Sequence, residues 1–258
     1  MKKYLFFVIV FLSFFSYKLS AQINENPVNE LVQNLAQNEM LTKRFYRNYL
    51  FVKSNVFKEK TIKDTDRSIA LFDENLTALS LYLPDSKKVE DNYLKLHNYW
   101  NVYRLKVTDY ENENYGMLAR NTDKFVKLYE DFKTSLLKSH PDYSSYKKTL
   151  SKVNKIVENE NLLENAAIDY LLKRGLNQPE AAQFFSVDMG TVKSNLKKLA
   201  KDKKLDPELK TTVIDMMEIT KNIESLLSRE SYHPKLMYSY IKNISNKSFQ
   251  FVNTLTSK

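Results

Sequence analysis

The 258-residue chain has no cysteine. That excludes a disulfide framework, a thiolate metal site and a cysteine nucleophile. Only three glycines and six prolines occur. Sandwiches, barrels and βαβ folds draw on far more turn glycines, so these folds are disfavoured. A P-loop or a dinucleotide fingerprint is excluded, because no glycine cluster lets backbone amides close on a phosphate. Three histidines, His97, His140 and His233, leave little for zinc or triad chemistry. Beyond the first residues no apolar run is long enough to span a bilayer, so stable membrane insertion is not expected.

What is present is a globular balance of 43% hydrophobic and 28% charged residues. The composition points to a helical protein that is not an enzyme, with no cofactor and no metal. Residues 1–21 resemble a bacterial secretory signal. Lys2 and Lys3 form a positive start, Leu5 to Ser16 is an apolar run of hydrophobic-region length, and Ser20-Ala21 supplies small residues before a cut at Gln22. A periplasmic or secreted product is expected. The net charge of +9 includes three lysines from that leader. The remaining excess is read as spread along the chain, without the concentrated patch that nucleic-acid binding needs.

Apolar residues recur at alternating steps of three and four, as in helices that bury one stripe. A first helix is expected from about Asn26 to Val56, with the stripe Leu31, Leu35, Asn38, Thr42, Phe45, Tyr49, Val52, Val56 and with Pro27 at its first position. A second shows Ile69, Phe72, Leu76, Leu79 and Leu83. A third shows Val89, Tyr93, Leu96, Trp100, Tyr103 and Val107. A fourth shows Leu118, Asn121, Phe125, Leu128 and Phe132. Four amphipathic helices with short connections make an antiparallel bundle.

The second half repeats this pattern at an offset of about 120 residues. Asn38 meets Asn159, Glu39 meets Glu160, and Tyr49-Leu50 meets Tyr170-Leu171. Phe72, Leu76 and Leu79 map onto Val192, Leu196 and Leu199. The third stripe maps onto Leu209, Val213, Met216, Thr220, Ile223 and Leu227, and the fourth onto Tyr238, Ile241, Ser245, Ser248 and Val252. The expected fold is all-α: two tandem antiparallel four-helix bundles, 22–139 and 142–258, after a signal peptide, joined at Ser139–Asp142.

The segment Leu35-Ala-Gln-Asn-Glu-Met-Leu-Thr-Lys-Arg44 resembles the opening motif of the type IV pili methyl-accepting chemotaxis transducer N-terminal domain (PilJ-like, related to the NarX-like nitrate/nitrite sensors). That family typically reads Ala-Gly-Arg-Gln-Arg-Met-Leu-Ser-Gln-Arg there. Met40, Leu41 and Arg44 match, and Thr42 stands for the usual Ser. Phe72-Asp-Glu-Asn-Leu76-Thr-Ala-Leu79 and Trp100 fit the helices that follow. The resemblance implies a sensory four-helix module that binds a small polar ligand or an oxyanion, held in the family by arginines of the first helix. Gln37 and Glu39 stand where the motif has arginines, and a carboxylate there repels an anion. The expected ligand-binding residues are Gln37, Asn38, Met40, Leu41, Thr42, Arg44 and Asn159. A second expectation is an adaptor bundle without a small ligand, docked on an envelope receptor or complex.

Other patterns carry competing readings. Met40, Arg44, Arg47 and Phe51, flanked by Lys43 and Tyr46, form a basic-aromatic face suited to an anion or a partner helix, with a solvated or inter-domain face as the plainer reading. Tyr93, Tyr99, Trp100 and Tyr103 read as core. Glu230 and His233 have the spacing of one di-iron ligand pair, where two pairs are needed. Leu176 to Leu196 resembles a helix-turn-helix reader with Gly190-Thr-Val-Lys-Ser194 opening its recognition helix, although an exported chain is not expected to meet nucleic acid.

Overall fold

A computed structural model describes residues 27–140 and 146–257. The expected leader, and residues 141 and 142 of the expected linker, lie outside the described residues. The described residues hold nine α-helices and no strand. They are α1 (Pro27–Lys53), α2 (Lys58–Ser80), α3 (Lys87–Thr108), α4 (Tyr115–Ser139), α5 (Lys147–Tyr170), α6 (Pro179–Ala182), α7 (Met189–Ala200), α8 (Pro207–Ser228) and α9 (Pro234–Thr256). A π-helical turn, Leu171–Gly175, extends α5.

Local chemistry sets these limits. Pro27, Pro207 and Pro234 open α1, α8 and α9, where a missing N–H costs nothing. Asn114 accepts from the Met117 amide to cap α4, and Asp188 caps α7 through Thr191 N. Helix α1 ends at Lys53, short of Val56. The chain then reverses through Asn55 (φ 54°) and Phe57 (φ 45°), both left-handed.

Helix α1 touches α2, α4, α5 and α9, so it is buried on nearly every side. Helix α5 touches α1, α7 and α9, while α3 pairs chiefly with α4, and α8 with α7 and α9. Buried apolar side chains from both halves form one contiguous core. Arg44 reaches Glu160 and Arg47 reaches Glu164, so α1 and α5 run parallel.

The expected stripes of α1 and α3 are buried, apart from a half-buried Tyr93. In α4 the seam is shifted by one residue at two levels. Thr122 and Tyr129 are buried where Asn121 and Leu128 were expected. Tyr103 and Thr122 share a 2.8 Å hydroxyl contact, and Tyr129 donates to Leu35 O at 2.7 Å, so both polar groups are satisfied in the core. In α2, Thr61, Thr65, Ser68 and Asn75 take seam positions, and Ile69 is half-buried.

Several contacts recur about 120 residues apart. Asn75 Nδ2 donates to Gln37 Oε1 (3.0 Å) and Asn38 Oδ1 (3.1 Å); Asn195 Nδ2 donates to Glu158 Oε2 (2.8 Å) and Asn159 Oδ1 (3.2 Å). Tyr49 donates to Asn112 O in the α3–α4 connection and stacks on Tyr110. Tyr170 bonds the α8–α9 connection at Ser231 O and His233 N and stacks on Tyr232. The ion pair Arg104–Asp73 (3.2 Å) is answered by Lys193–Glu224 (2.8 Å), with the charges exchanged between helices. Helices α2 and α7 end at Ser80 and Ala200, and α3 and α8 end at Thr108 and Ser228.

The halves diverge between α5 and α7. Helix α2 has 23 residues and α7 has 12. The π turn, the four-residue α6 and a short loop occupy the difference. Gly175 ends the π turn against Tyr232, whose ring occupies the space a Cβ would need.

Candidate functional site

The basic-aromatic face of α1 turns inward. Met40 and Phe51 are fully buried, and the two arginines meet carboxylates from α5. Arg44 Nη2 lies 2.6 Å from Glu160 Oε1, and Arg47 Nη1 lies 2.9 Å from Glu164 Oε1. Arg47 also donates to Asn48 Oδ1 from Nε and Nη2, at 3.1 and 2.8 Å. The Arg44 guanidinium sits 4.8 Å above the Phe249 ring of α9. Glu160 and Glu164 are at most 1% exposed. Burial lifts the Glu164 carboxyl above its ordinary range, opposed by Arg47 and Arg44. Burial likewise lowers Arg47, with Glu164 opposing. Desolvation thus outweighs pairing for both partners, as in many buried ion pairs.

Beside this cluster a shallow, solvent-open groove of about 570 Å³ lies between α1, α2 and α9. Arg44, Arg47, Arg67 and Lys242 supply cations, and Asp64 is a carboxylate at its edge. Asp64 accepts from Lys242 Nζ (2.6 Å) and from the Tyr238 hydroxyl (2.8 Å). Burial would raise Asp64, yet these two hydrogen bonds together with the charges of Lys242 and Lys60 outweigh it and hold the carboxyl below its ordinary value. Burial and the neighbouring Asp64 push the Tyr238 hydroxyl up to about 12. The side-chain amides of Asn48, Asn246, Gln250 and Asn253 and the ring of Phe249 also line it. With Glu160 and Glu164 counted, cations exceed carboxylates by one. The groove therefore suits a small polar molecule carrying at most about one negative charge, held by directional amide and guanidinium donors.

Only two of the expected site residues approach this groove. Arg44 lines it, and Gln37 reaches its end by donating to Asn253 Oδ1 at 2.8 Å. Asn38 is a satisfied core amide, donating to Phe72 O at 3.2 Å. Met40 and Leu41 are fully buried core, Thr42 bonds Glu39 O at 2.8 Å, and Asn159 is buried with Asn195. Glu39 binds Lys133 of α4 at 2.5 Å. The residues that sequence reasoning missed are Asp64, Lys242 and Phe249 of the groove and Glu160 and Glu164 as counter-ions. An arginine pair three apart on α1 and a glutamate pair four apart on α5 was the available signal, since each spacing makes one face.

The remaining patterns also find places. Trp100 and Tyr103 are core, while Tyr93 and Tyr99 are half-buried at its edge. In the helix-turn-helix-like stretch, α6 is a single turn, and α7 packs on α5 and α8, with Asn195 committed to Glu158 and Asn159. His233 bonds Ser231 Oγ at 2.8 Å, and no group of three metal-ligating side chains occurs among the described residues. None of the helices described is long and apolar enough to cross a membrane. No protein-family model, curated protein or solved structure matches the chain.

Proposed function

We propose that the protein is an exported, non-enzymatic binding module of the PilJ-like sensory kind, made of two tandem antiparallel four-helix bundles, and that it holds a small polar ligand between α1, α2 and α9. The observation that carries this reading is the 570 Å³ groove, in which four cations and several amides converge around one carboxylate. The repeated Asn clamp, the repeated tyrosine at the end of the first helix and the exchanged ion pair support the duplication. The parallel contact of α1 with α5 supports a single chain that imitates a sensor homodimer, with first helix against first helix.

The experiment is a thermal-shift screen of small monoanions and polar metabolites, followed by calorimetry. A saturable shift is expected, weakened by Arg67→Ala and abolished by Asn246→Trp, which fills the groove. Both positions are exposed, so neither change touches the core. Binding that survives Asn246→Trp would remove the groove from the account.

A second reading, an adaptor bundle without a small ligand, is favoured by one observation. Arg44 and Arg47 already have Glu160 and Glu164 as partners, so α1 does not need an external anion. Absence of a shift with every ligand tested would favour it.

A further inference from the structure

The fold gathers lysines that lie far apart in sequence. Lys147, Lys148, Lys152 and Lys155 at the start of α5 meet Lys198 and Lys204 from the end of α7, around a shallow groove of about 460 Å³. Among the described residues, Asp202, 3.1 Å from Lys152, is the one carboxylate lining it. More than half of the chain's net charge of +9 therefore sits at this spot. The arrangement opposes local preference. Helix α5 opens on Lys147 and Lys148 with no acidic residue in its first turn, although the helix dipole favours anions there. A cluster that defies both dipole and like-charge repulsion calls for an external anion.

The same end of the molecule carries an apolar feature. Helices α1 and α5 are parallel, so their starts lie together. The end of α2 joins them, because Tyr82 lies beside Glu30 in the first turn of α1. In the connection that follows α2, Leu81 is 84% exposed, flanked by the half-buried Tyr82 and Leu83. At the corresponding place after α7 stands Lys201. One end face thus combines a lysine cluster with a protruding leucine.

We propose that this end face docks the protein on an anionic phospholipid bilayer. Charge attraction, about 1 kcal/mol per lysine near an anionic surface, supplies most of the binding, and the shallowly inserted Leu81 adds to it. Nucleic acid fits less well. Among the described residues, the groove has lysines and no arginine for bidentate phosphate or base contacts, and no aromatic ring on which a base could stack.

The test is flotation of the full chain with vesicles of phosphatidylcholine alone or of equal parts phosphatidylcholine and phosphatidylglycerol. Residues 1–21 carry three lysines of their own, so the ratio between the two vesicle types is compared between the full chain and its variants, which leave that segment unchanged. The ratio is expected to be at least about tenfold, and to collapse when salt rises from about 0.05 M to about 0.5 M. Combined Lys148→Glu, Lys198→Glu and Lys204→Glu should lower the ratio at least about fivefold. Leu81→Asp should reduce binding to anionic vesicles several-fold with helix content and melting unchanged. Equal partition to both vesicle types overturns the proposal. So does an unaltered ratio in the triple variant, or binding to a nucleic-acid duplex without binding to anionic vesicles.

Discussion

The first half of the chain fills the space between its helices with rings, and the second fills the matching space with aliphatic and small side chains. Phe72, Trp100 and Phe125 meet at centroid distances of 4.4 to 5.4 Å, with Tyr103 4.7 Å from Phe125. The corresponding buried residues are Val192, Thr220, Ser245 and Ile223. Similar helix limits and the same clamps enclose very different volumes. Part of the difference is made up from outside. Where Phe125 stands in α4, Ser245 of α9 leaves room for the ion cluster, its hydroxyl 3.5 Å from Glu164 Oε1, and the next turn sets Phe249 under Arg44. The interior of the second half is thus completed by side chains of α1. A helical pattern fixes which positions face inward; it leaves open what fills the interior.

The largest effect expected to test this contrast is Phe72→Ala, which removes a ring from the aromatic cluster and should cost about 3–5 kcal/mol. Val192→Ala should cost less, about 1.5–3 kcal/mol. Urea denaturation of both variants measures the difference, and equal losses would break the contrast. Arg47→Met strands buried carboxylate charge and should also cost about 3–5 kcal/mol, most of it recovered by adding Glu164→Leu. Glu164→Gln should cost less than Arg47→Met, because burial has already pushed that carboxyl toward its neutral form.

Two carboxyls should give opposite pH responses. Glu164 is raised, so its contribution is fully present below the usual carboxyl pKa and is lost as pH rises through the raised value. Asp64 is lowered, so its contribution is present above the usual value and is lost as pH falls through the lowered one. Melting temperature followed against pH should lose its upper slope in Glu164→Gln and its acid slope in Asp64→Asn.

Smaller effects sharpen the likeness of the two units. Asn75→Ala and Asn195→Ala each leave buried acceptors unpaired and should each cost about 1–3 kcal/mol. Thermal melts showing a large inequality would argue that the two clamps are not equivalent. The smallest effect belongs to the exchanged ion pair. Swapping Lys193 with Glu224 should change stability by less than about 1 kcal/mol. The same swap of Asp73 with Arg104 should cost more, because Asp73 also accepts from Trp100 Nε1 at 2.5 Å.

Most helices were legible because their stripes are apolar and their ends carry proline and caps. Legibility failed where polar residues entered the seam. Thr122 and Tyr129 replace Asn121 and Leu128 in α4 because their hydroxyls find partners inside, which no count of apolar residues can register. The stretch after Tyr170, part of which resembles a helix-turn-helix reader, becomes a π turn and a single-turn α6, with the Tyr232 ring filling the space beside Gly175. Asn38 and Asn159 stood out as polar breaks in a stripe. Their partners Asn75 and Asn195 did not, since each lies one residue from an apolar seam position. The groove was the least legible, because it is assembled from α1, α2 and α9, and of its lining residues only Arg44, Arg47 and Ser245 belong to patterns visible in the sequence.

Helix α1 is enclosed by neighbours on four sides, whereas α3 leaves Leu94, Val102 and Leu105 in contact with solvent. Heritable change will therefore be distributed unevenly along this chain. Substitutions should accumulate on the outer helix with little harm, while α1 resists nearly every exchange, so descendants would be traced through α1 long after the rest had drifted beyond comparison.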